Sequence, residues 1–84
     1  MILHTVSVKP LENYRLHLAF NNGASGEVDL TSELWGEIFE PLKDIALFQT
    51  ARQDEVMQTV SWANGADFAP EFLMEMLLQQ QQAA

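Results

Sequence analysis

Apolar and polar residues alternate along three stretches at the start of the chain, with the period of two that a half-buried strand requires. The first stretch covers residues 2–9 and ends at Pro10. The predicted inward faces are, in chain order, Ile2, Val6 and Val8; Tyr14, Leu16, Leu18 and Phe20; and Ala24, Gly26, Val28 and Leu30. Strands in this order, separated by turn residues, predict an antiparallel β-meander.

The faces of these strands also predict how the strands pair. A three-residue loop at 21–23 pairs Phe20 with Ala24 and Leu16 with Val28, whereas a two-residue loop would set apolar residues against polar ones. We therefore expect Gly23 to be left-handed. In the first hairpin, matching the apolar faces places Val8 opposite Leu16, Val6 opposite Leu18 and His4 beside Phe20.

Two short helical segments are predicted after the meander. Thr31 or Ser32 caps the first, and Gly36 stops it. Asp44 is the predicted N-cap of the second, which runs for about two turns to Phe48. The predicted core spacing in this segment is carried by Leu42, Ile45 and Phe48.

The last part of the chain predicts two further strands and a helix. A strand near residues 50–53 turns at Asp54, and the next strand shares one face among Val56, Val60 and Trp62. A helix begins at Pro70, a residue suited to the first helical position. Its predicted apolar stripe is Phe72, Leu73, Met76 and Leu77, and its polar face is Glu71, Glu75 and Gln79.

The predicted fold class is therefore α+β: an antiparallel β-meander of three strands, a short helical segment, two further strands, and a C-terminal helix packed on the sheet. We expect residues 1–78 to form one domain and residues 79–84 to be a frayed tail rich in glutamine and alanine.

Charge narrows the choice of partners. The 84 residues include four basic and twelve acidic side chains and no cysteine, and the net charge is −8. Phosphate backbones and anionic membranes are repelled by such a chain, so we expect no membrane contact and no direct nucleic-acid binding. A charged partner would be basic; alternatively, acidity only keeps the protein in solution. The sequence shows no signal peptide or membrane-length apolar run, which predicts a cytoplasmic protein.

The reactive side chains form no recognisable catalytic constellation in the sequence. His4 and His17 are predicted on opposite faces of the sheet, so they cannot share a metal ion. The serines lack the setting of an activated nucleophile, and the glycines are too dispersed to hold a phosphate. Carboxylate pairs at helical spacing, such as Glu71 with Glu75 or Glu37 with Glu40, are typical of a solvated face. We predict no enzyme, no cofactor and no metal.

One cluster carries more turn chemistry than the rest of the chain. Asn64 and Gly65 predict a tight turn, and the Asp67 carboxylate is placed to accept backbone N–H groups of the turn or of the helix that starts at Pro70. A recognition patch of Trp62, Asn64 and Asp67 is one interpretation. The favoured interpretation is structural: a turn and cap that dock the last helix.

These residues also carry a resemblance to a known family. The run from Trp62 to Glu71, together with residues 8–11, 14–16, 39–44 and the Phe20-x-x-Gly23 pattern, resembles the bacterial domain of unknown function 2442 family over residues 3–77. Ala63 stands where relatives more often have proline, which predicts a slightly less rigid turn. The resemblance implies an α+β fold, a bacterial origin and, for many relatives, a gene pair of the toxin–antitoxin kind. Some relatives add a helix-turn-helix region; the glutamine tail leaves no room for one here, so operator binding is not expected.

Two classes of function remain open. The first is a protein-interaction module, an antitoxin-like partner of a small basic protein, with homodimerisation through Met57, Met74 and Leu78 as a variant. The second is a small metal-dependent hydrolase, which would have to bring together Glu40, Asp44 and Asp67. A ligand-sensing regulatory domain is a further alternative, for which the sequence offers no signature.

Overall fold

The computed structural model describes residues 2–82, so that Met1 and the end of the predicted tail, Ala83 and Ala84, lie outside it. Strands β1 to β3 form an antiparallel sheet in sequence order, and β4 and β5 form a separate antiparallel pair. This arrangement, with short helical turns between the sheets and a helix at the end, confirms the predicted α+β class. The elements are β1 (Thr5–Pro10), β2 (Arg15–Phe20), β3 (Ser25–Asp29), 3₁₀ turns at Thr31–Glu33 and Glu40–Lys43, α1 (Ile45–Phe48), β4 (Arg52–Asp54), β5 (Thr59–Ser61) and α2 (Pro70–Gln82).

The hairpin of β2 and β3 has the predicted register. Leu16 pairs with Val28, and the Phe20 N–H donates to the Ala24 carbonyl at 2.8 Å. Gly23 has a φ of 89°, the left-handed conformation that the three-residue loop requires. The Asn22 carboxamide oxygen accepts the Ala24 N–H at 3.0 Å and holds the loop closed. Alternation and turn chemistry agree here, and both predictions are confirmed.

The register of β1 differs from the prediction by two residues. Val8 pairs with Leu18 and Pro10 with Leu16, so the loop between the strands moves by one residue, from 10–13 to 11–14. In this loop Asn13 and Tyr14 both adopt left-handed conformations, with φ values of 61° and 60°. A residue other than glycine rarely does so, and the sequence therefore gave no sign of the tight turn.

A β-bulge also reverses the faces at the start of β1. The register shifts between Thr5 and Ser7, which places Thr5 opposite Phe20 with none of its surface exposed, while Val6 is 53% exposed. The prediction that Val6 lies inside and Thr5 outside, with His4 opposite Phe20, is wrong. Burial of Thr5 is tolerated because its hydroxyl and backbone groups bond to the side chain of Gln53 and the backbone of Gln58.

The helical segments are shorter than predicted. Asp44 is the N-cap, as expected, and accepts the Ala46 N–H at 3.0 Å, but α1 has one turn and not two. Asp44 itself is extended, so it interrupts the helical spacing between Leu42 and Ile45. Leu42 is buried, whereas Ile45 is 67% exposed and its predicted place in the core is wrong.

Neither Thr31 nor Ser32 caps the first 3₁₀ turn as predicted; its N-cap is Leu30, and Asp29 bonds to Thr31 beside it. The Asp29 carboxylate accepts the backbone N–H of Thr31 at 2.9 Å and the Thr31 hydroxyl at 2.6 Å. This is a local side-chain bond of aspartate to the backbone two residues on, and it occupies the Thr31 hydroxyl that was predicted to cap the turn. The turn ends at Glu33 with Leu34 as its C-cap, so Gly36, which has a φ of 88°, does not stop it as predicted.

The turn between β4 and β5 is longer than predicted. The Gln58 N–H donates to the Asp54 carbonyl at 2.7 Å, and the Asp54 carboxylate accepts the N–H groups of Val56 and Met57 at 2.9 and 3.1 Å. These bonds hold Val56 in the turn, 89% exposed, and its predicted place on a buried face is wrong. Val60 is fully buried, as predicted.

Helix α2 begins at Pro70 and covers the core face of the sheet. Its buried residues are Leu73, Met76 and Leu77, with Phe72 half-buried, so the predicted stripe is confirmed. The helix lies close to β3, because a Cβ added at Gly26 would come within 2.8 Å of the Leu77 side chain. The core that α2 closes contains Leu16, Leu18, Phe20, Val28, Leu30, Leu34, Leu42, Phe48, Val60 and Trp62. Within residues 2–82, no helix is long and apolar enough to span a membrane.

Candidate functional site

Trp62 lies inside the domain and not on a surface patch. Its side chain is 1% exposed, and its Nε1–H donates to the Phe48 carbonyl at 3.0 Å. Its ring centroid is 5.9 Å from that of Phe48 and 5.9 Å from that of Phe68. A buried indole with its one donor satisfied is an anchor for the core.

The turn after Trp62 is closed by local hydrogen bonds. The Gly65 N–H donates to the Trp62 carbonyl at 2.9 Å, and Gly65 has a φ of 89°. The Asn64 Oδ1 atom accepts the Ala66 N–H at 3.1 Å, while its Nδ2 donates to the Ile38 carbonyl at 3.0 Å. Asn64 therefore both forms its own turn and attaches it to the segment around residue 38.

Asp67 and Pro70 complete the candidate residues of the sequence analysis. Asp67 pairs with Ser61 through an isolated β-bridge, and its side chain is exposed. Within residues 2–82 its carboxylate accepts none of the N–H groups assigned to it. Pro70 is the first residue of α2. The cluster thus divides into a buried anchor, a hydrogen-bonded turn and an exposed carboxylate.

A row of stacked aromatic rings leads from this turn to the surface. Phe39 and Phe68 stack with centroids 4.5 Å apart and planes inclined by 13°, and Phe68 and Phe72 lie 5.4 Å apart at 22°. All three rings are half-buried. Because Phe68 also contacts Trp62 edge-on, the row is fixed from beneath by the core.

The aromatic row ends in a groove, which we call the aromatic groove. Its volume is about 270 Å³ and it is lined by Glu33, Trp35, Gly36, Phe39 and Phe68. The Trp35 side chain is 70% exposed, and the neighbouring Ile38 is 44% exposed. Large apolar side chains grouped at one surface are typical of an interaction site.

A second depression, the acidic hollow, is formed by the same segment of chain. It has a volume of about 470 Å³ and is lined by Glu37, Glu40, Pro41 and Asp44. Two of the three carboxylates of the hydrolase hypothesis, Glu40 and Asp44, meet here, and Asp67 is not among the lining residues. Among the described residues, no group of three or more histidine, aspartate and glutamate side chains is arranged to hold a metal ion.

A third cleft lies elsewhere, between the β1–β2 turn and α1. It has a volume of about 490 Å³, and Tyr14, Ile45 and Gln49 are among its lining residues. The Tyr14 hydroxyl donates to the Lys43 carbonyl, and the Gln49 amide donates to the Leu11 carbonyl at 3.1 Å. Because these polar groups already bond to the protein backbone, they are poorly placed to orient a ligand.

The two histidines differ in burial and in their contacts. His17 pairs with Lys9 and is exposed, while His4 is half-buried, with its Nδ1 3.1 Å from the Asn21 amide nitrogen. Sequence reasoning missed Trp35, Phe39 and Phe68 as surface residues. A signal was present in Trp35 itself, a large aromatic residue beside a turn glycine with Glu33 and Glu37 on either side.

Comparisons with known proteins agree with the fold. The model of the family described as "Protein of unknown function (DUF2442)" matches residues 5–76. A crystal structure from Nitrosomonas europaea, of a protein named "Putative DNA Binding Protein", is similar with a TM-score of 0.66 and 25% sequence identity. The similarity covers 75% of this chain and 41% of that protein, so the chain spans less than half of its length. No curated protein matches the chain.

Proposed function

This chain belongs to the DUF2442 family of proteins of unknown function, and on that premise we propose that it is a protein-interaction domain. It binds a small basic protein through the aromatic groove and the carboxylates around it, and it acts without catalysis. The observation that carries the proposal is the position of Trp35, which is 70% exposed beside a groove floored by fixed aromatic rings.

Exposure of Trp35 supports binding because solvent contact with a large apolar ring is unfavourable. Each Å² of apolar surface removed from water contributes about 25 cal/mol. The rings of Phe39 and Phe68 are stacked on each other and held by the core. The groove would therefore lose little conformational freedom when a partner binds. Tryptophan is also among the residue types that are enriched at the interface positions that dominate binding energy.

The charge around the groove supports a basic partner. Glu33 lines the groove itself, and Glu37, Glu40 and Asp44 line the adjoining acidic hollow. The chain as a whole carries a net charge of −8. Carboxylates around an apolar centre attract a partner with basic residues around its own apolar anchor, and they speed its association. An antitoxin-like role, in which the acidic chain neutralises a basic protein, is the biological form that we propose.

DNA binding is a second candidate, raised by the name of the N. europaea protein. The charge of this chain argues against it, because twelve acidic residues face four basic ones. One of those four, Arg15, is paired with Glu27 at 3.1 Å. We therefore propose that this chain makes no direct contact with phosphates. A mobility-shift assay with duplex DNA at low salt tests this, and a shift that disappears at higher salt would contradict it.

The test of the proposal is capture of the partner with two variants of the tagged protein. Trp35→Ala removes the exposed ring, and Val56→Ala is the matched control, since Val56 is 89% exposed in the turn between β4 and β5. Cell extract is passed over each protein at low and high salt. We expect one small basic protein to be retained by the native chain and by Val56→Ala, and to be lost with Trp35→Ala and at high salt.

Affinity measured with the purified partner makes the test quantitative. Removing a tryptophan at the centre of an interface costs about 2 kcal/mol or more, so Trp35→Ala should weaken binding by at least about 30-fold. Equal binding by both variants would contradict the proposal. A dimer of the native chain in sedimentation that dissociates with Trp35→Ala would show that a second copy, and not a basic protein, covers the groove.

A further inference from the structure

Strand β3 is the outer strand of the three-stranded sheet, and one of its backbone edges faces away from β2. The Phe20 N–H donates to the Ala24 carbonyl, and the Leu30 N–H donates to the Tyr14 carbonyl. Because hydrogen-bonded pairs alternate along an antiparallel ladder, every second residue of β3 bonds to β2, and the residues between them point their backbone groups outward. The outward groups of this edge, which we call the β3 edge, belong to Ser25, Glu27 and Asp29.

Two glutamine side chains from the end of α2 bond to this edge. The Gln80 amide accepts the Asp29 N–H at 2.7 Å and donates to the Asp29 carbonyl at 3.0 Å. The Gln81 amide donates to the Ser25 carbonyl at 3.5 Å. We call Gln80 and Gln81 the glutamine latch. The pair of bonds at Asp29 is the same exchange that a residue of a neighbouring strand would make, with a side-chain amide in place of a peptide.

We propose that the β3 edge is a docking site for an extended segment of a basic partner protein, and that the glutamine latch competes with that segment. The edge is able to pair, since Gln80 already forms the bonds of a strand partner at Asp29. Within residues 2–82 the latch bonds to Asp29 and Ser25 and not to Glu27 between them. A strand added here would displace the side chains of Gln80 and Gln81 from the edge.

Charge identifies the kind of segment that fits. The outward side chains of β3 are Ser25, Glu27 and Asp29, all exposed. Directly opposed cross-strand residues lie close enough for opposite charges to stabilise pairing and like charges to weaken it. In a second copy, antiparallel pairing centred on Glu27 would set Glu27 against Glu27 of that copy. A strand with lysine or arginine at alternate positions avoids this and is the occupant to which we commit.

This inference rests on the proposed function only for the class of partner. The aromatic groove would hold an apolar anchor, and the β3 edge would hold an extended basic segment. The two contacts are separate in the fold, because the latch lies at the end of α2 and Phe72 lies in its first turn. Failure of one contact therefore leaves the other measurable.

A synthetic peptide tests the edge without the natural partner. The probe has about seven residues with lysine and valine alternating, the length of an ordinary strand, and a control peptide has glutamate in place of lysine. Gln80→Ala opens the latch, and Gln79→Ala is the matched control, because Gln79 bonds to Glu75 within α2 and not to β3. We expect Gln80→Ala to lower the Kd of the lysine peptide about tenfold, through loss of the two competing bonds, and Gln79→Ala to leave it unchanged.

Amide hydrogen exchange locates the peptide. Binding to the β3 edge should protect the Glu27 amide, and Glu27→Pro should abolish binding, because proline removes an N–H that points away from β2. Glu27→Lys provides a second variant that keeps the N–H. It should reverse the preference, so that the glutamate peptide binds more tightly than the lysine peptide.

Two outcomes would overturn the inference. Equal peptide affinity of the Gln80→Ala and Gln79→Ala proteins, with no added protection at Glu27, would show that the latch covers no docking site. A Gln80→Ala protein that sediments as a dimer would show that the edge pairs with a second copy. Neither outcome depends on Trp35. The proposal that the aromatic groove binds a basic protein is therefore tested separately, by Trp35→Ala and Val56→Ala.

Discussion

The two tryptophan segments of this chain have similar turn chemistry and opposite surroundings. Trp35 is followed by Gly36 with a φ of 88°, and Trp62 is followed within three residues by Gly65 with a φ of 89°. Yet the Trp62 side chain is 1% exposed and the Trp35 side chain 70%. The difference shows that the residue type alone does not decide its role: Trp62 stabilises the fold, and we propose that Trp35 binds a partner.

The two segments are also joined. The Asn64 amide donates to the Ile38 carbonyl at 3.0 Å, and Phe68 stacks on Phe39. The buried segment thus positions the exposed one, so that the groove around Trp35 is held by contacts that begin at Trp62. Variants of the two segments should separate stability from binding, and the following predictions run from the largest effect to the smallest.

Trp62→Ala should be the most damaging change. It removes the ring that contacts Phe48 and Phe68 and leaves a cavity, which costs about 3–5 kcal/mol. A domain of this size has a free energy of unfolding of about 4–12 kcal/mol, so the loss ranges from about a quarter of that stability to all of it. Urea denaturation followed by circular dichroism measures the loss. Trp62→Phe keeps most of the packing and loses the bond to the Phe48 carbonyl. Its free energy of unfolding should lie between those of the native protein and of Trp62→Ala.

Asn64→Ala should separate the two segments at a smaller cost. It removes the bonds to the Ala66 N–H and the Ile38 carbonyl, each with a net value of about 0.5–1.5 kcal/mol. We expect a loss of about 1–2 kcal/mol in urea denaturation. Asn64→Asp keeps the acceptor and loses the donor, so about half of that loss should remain. An unchanged midpoint in both variants would contradict the joining role of Asn64.

Gly36→Ala and Gly65→Ala compare the same backbone conformation in the two segments. Among residues 2–82, no atom beyond the two chain neighbours lies within 4 Å of a Cβ added at either position, so the left-handed φ is what opposes the substitution. Each change should therefore cost about 1 kcal/mol, in spite of the different burial of the neighbouring tryptophans. A much larger cost at residue 65 alone would show that the turn after Trp62 is constrained by more than φ.

Low pH should weaken the turn between β4 and β5, the two strands that lead to Trp62. The backbone N–H groups of Met57 and Val56 bond to the Asp54 carboxylate and lower its pKa. A lowered folded-state pKa contributes stability above the unfolded value, about 3.9, and that stability is lost as the pH falls through the folded value. In a pH titration by NMR, the Val56 and Met57 amide signals should move in this acid range, and Asp54→Asn should remove the transition.

Trp35→Ala should have the smallest effect on stability. The ring is 70% exposed, and surface substitutions of this kind change the free energy of unfolding by less than about 0.5 kcal/mol. The same variant is predicted to lose the partner in capture. A destabilisation as large as that of Trp62→Ala would mean that Trp35 also supports the fold, and the contrast between the two segments would then fail.

The sequence predicted the parts of the fold that depend on local pattern. The β2–β3 register followed from alternation and from Gly23, and the start of α2 followed from Pro70 and its apolar stripe. Positions that depend on distant contacts were missed. Thr5 is buried through bonds to Gln53 and Gln58, which are 48 and 53 residues away in the chain. No local pattern contains that information.

The candidate site was predicted only in part, for the same reason. Asn64 and Gly65 were recognisable as a turn because their chemistry is local. Which tryptophan is buried depends on what packs over it, and for Trp62 this is Phe48 and Phe68. Ile45 and Val56 show the reverse case, since their spacing matches a core face although neither residue is covered.

The glutamine latch has a consequence for the chain while it is being made. Gln80 and Asp29 are 51 residues apart, so β3 is synthesised long before the side chain that closes its edge. At about 5–20 residues per second, the ribosome needs roughly 3–10 s to add the intervening chain. During that interval the latch is not yet available to β3, and Glu27 and Asp29 are the charges that oppose pairing with other acidic strands, including those of a second copy.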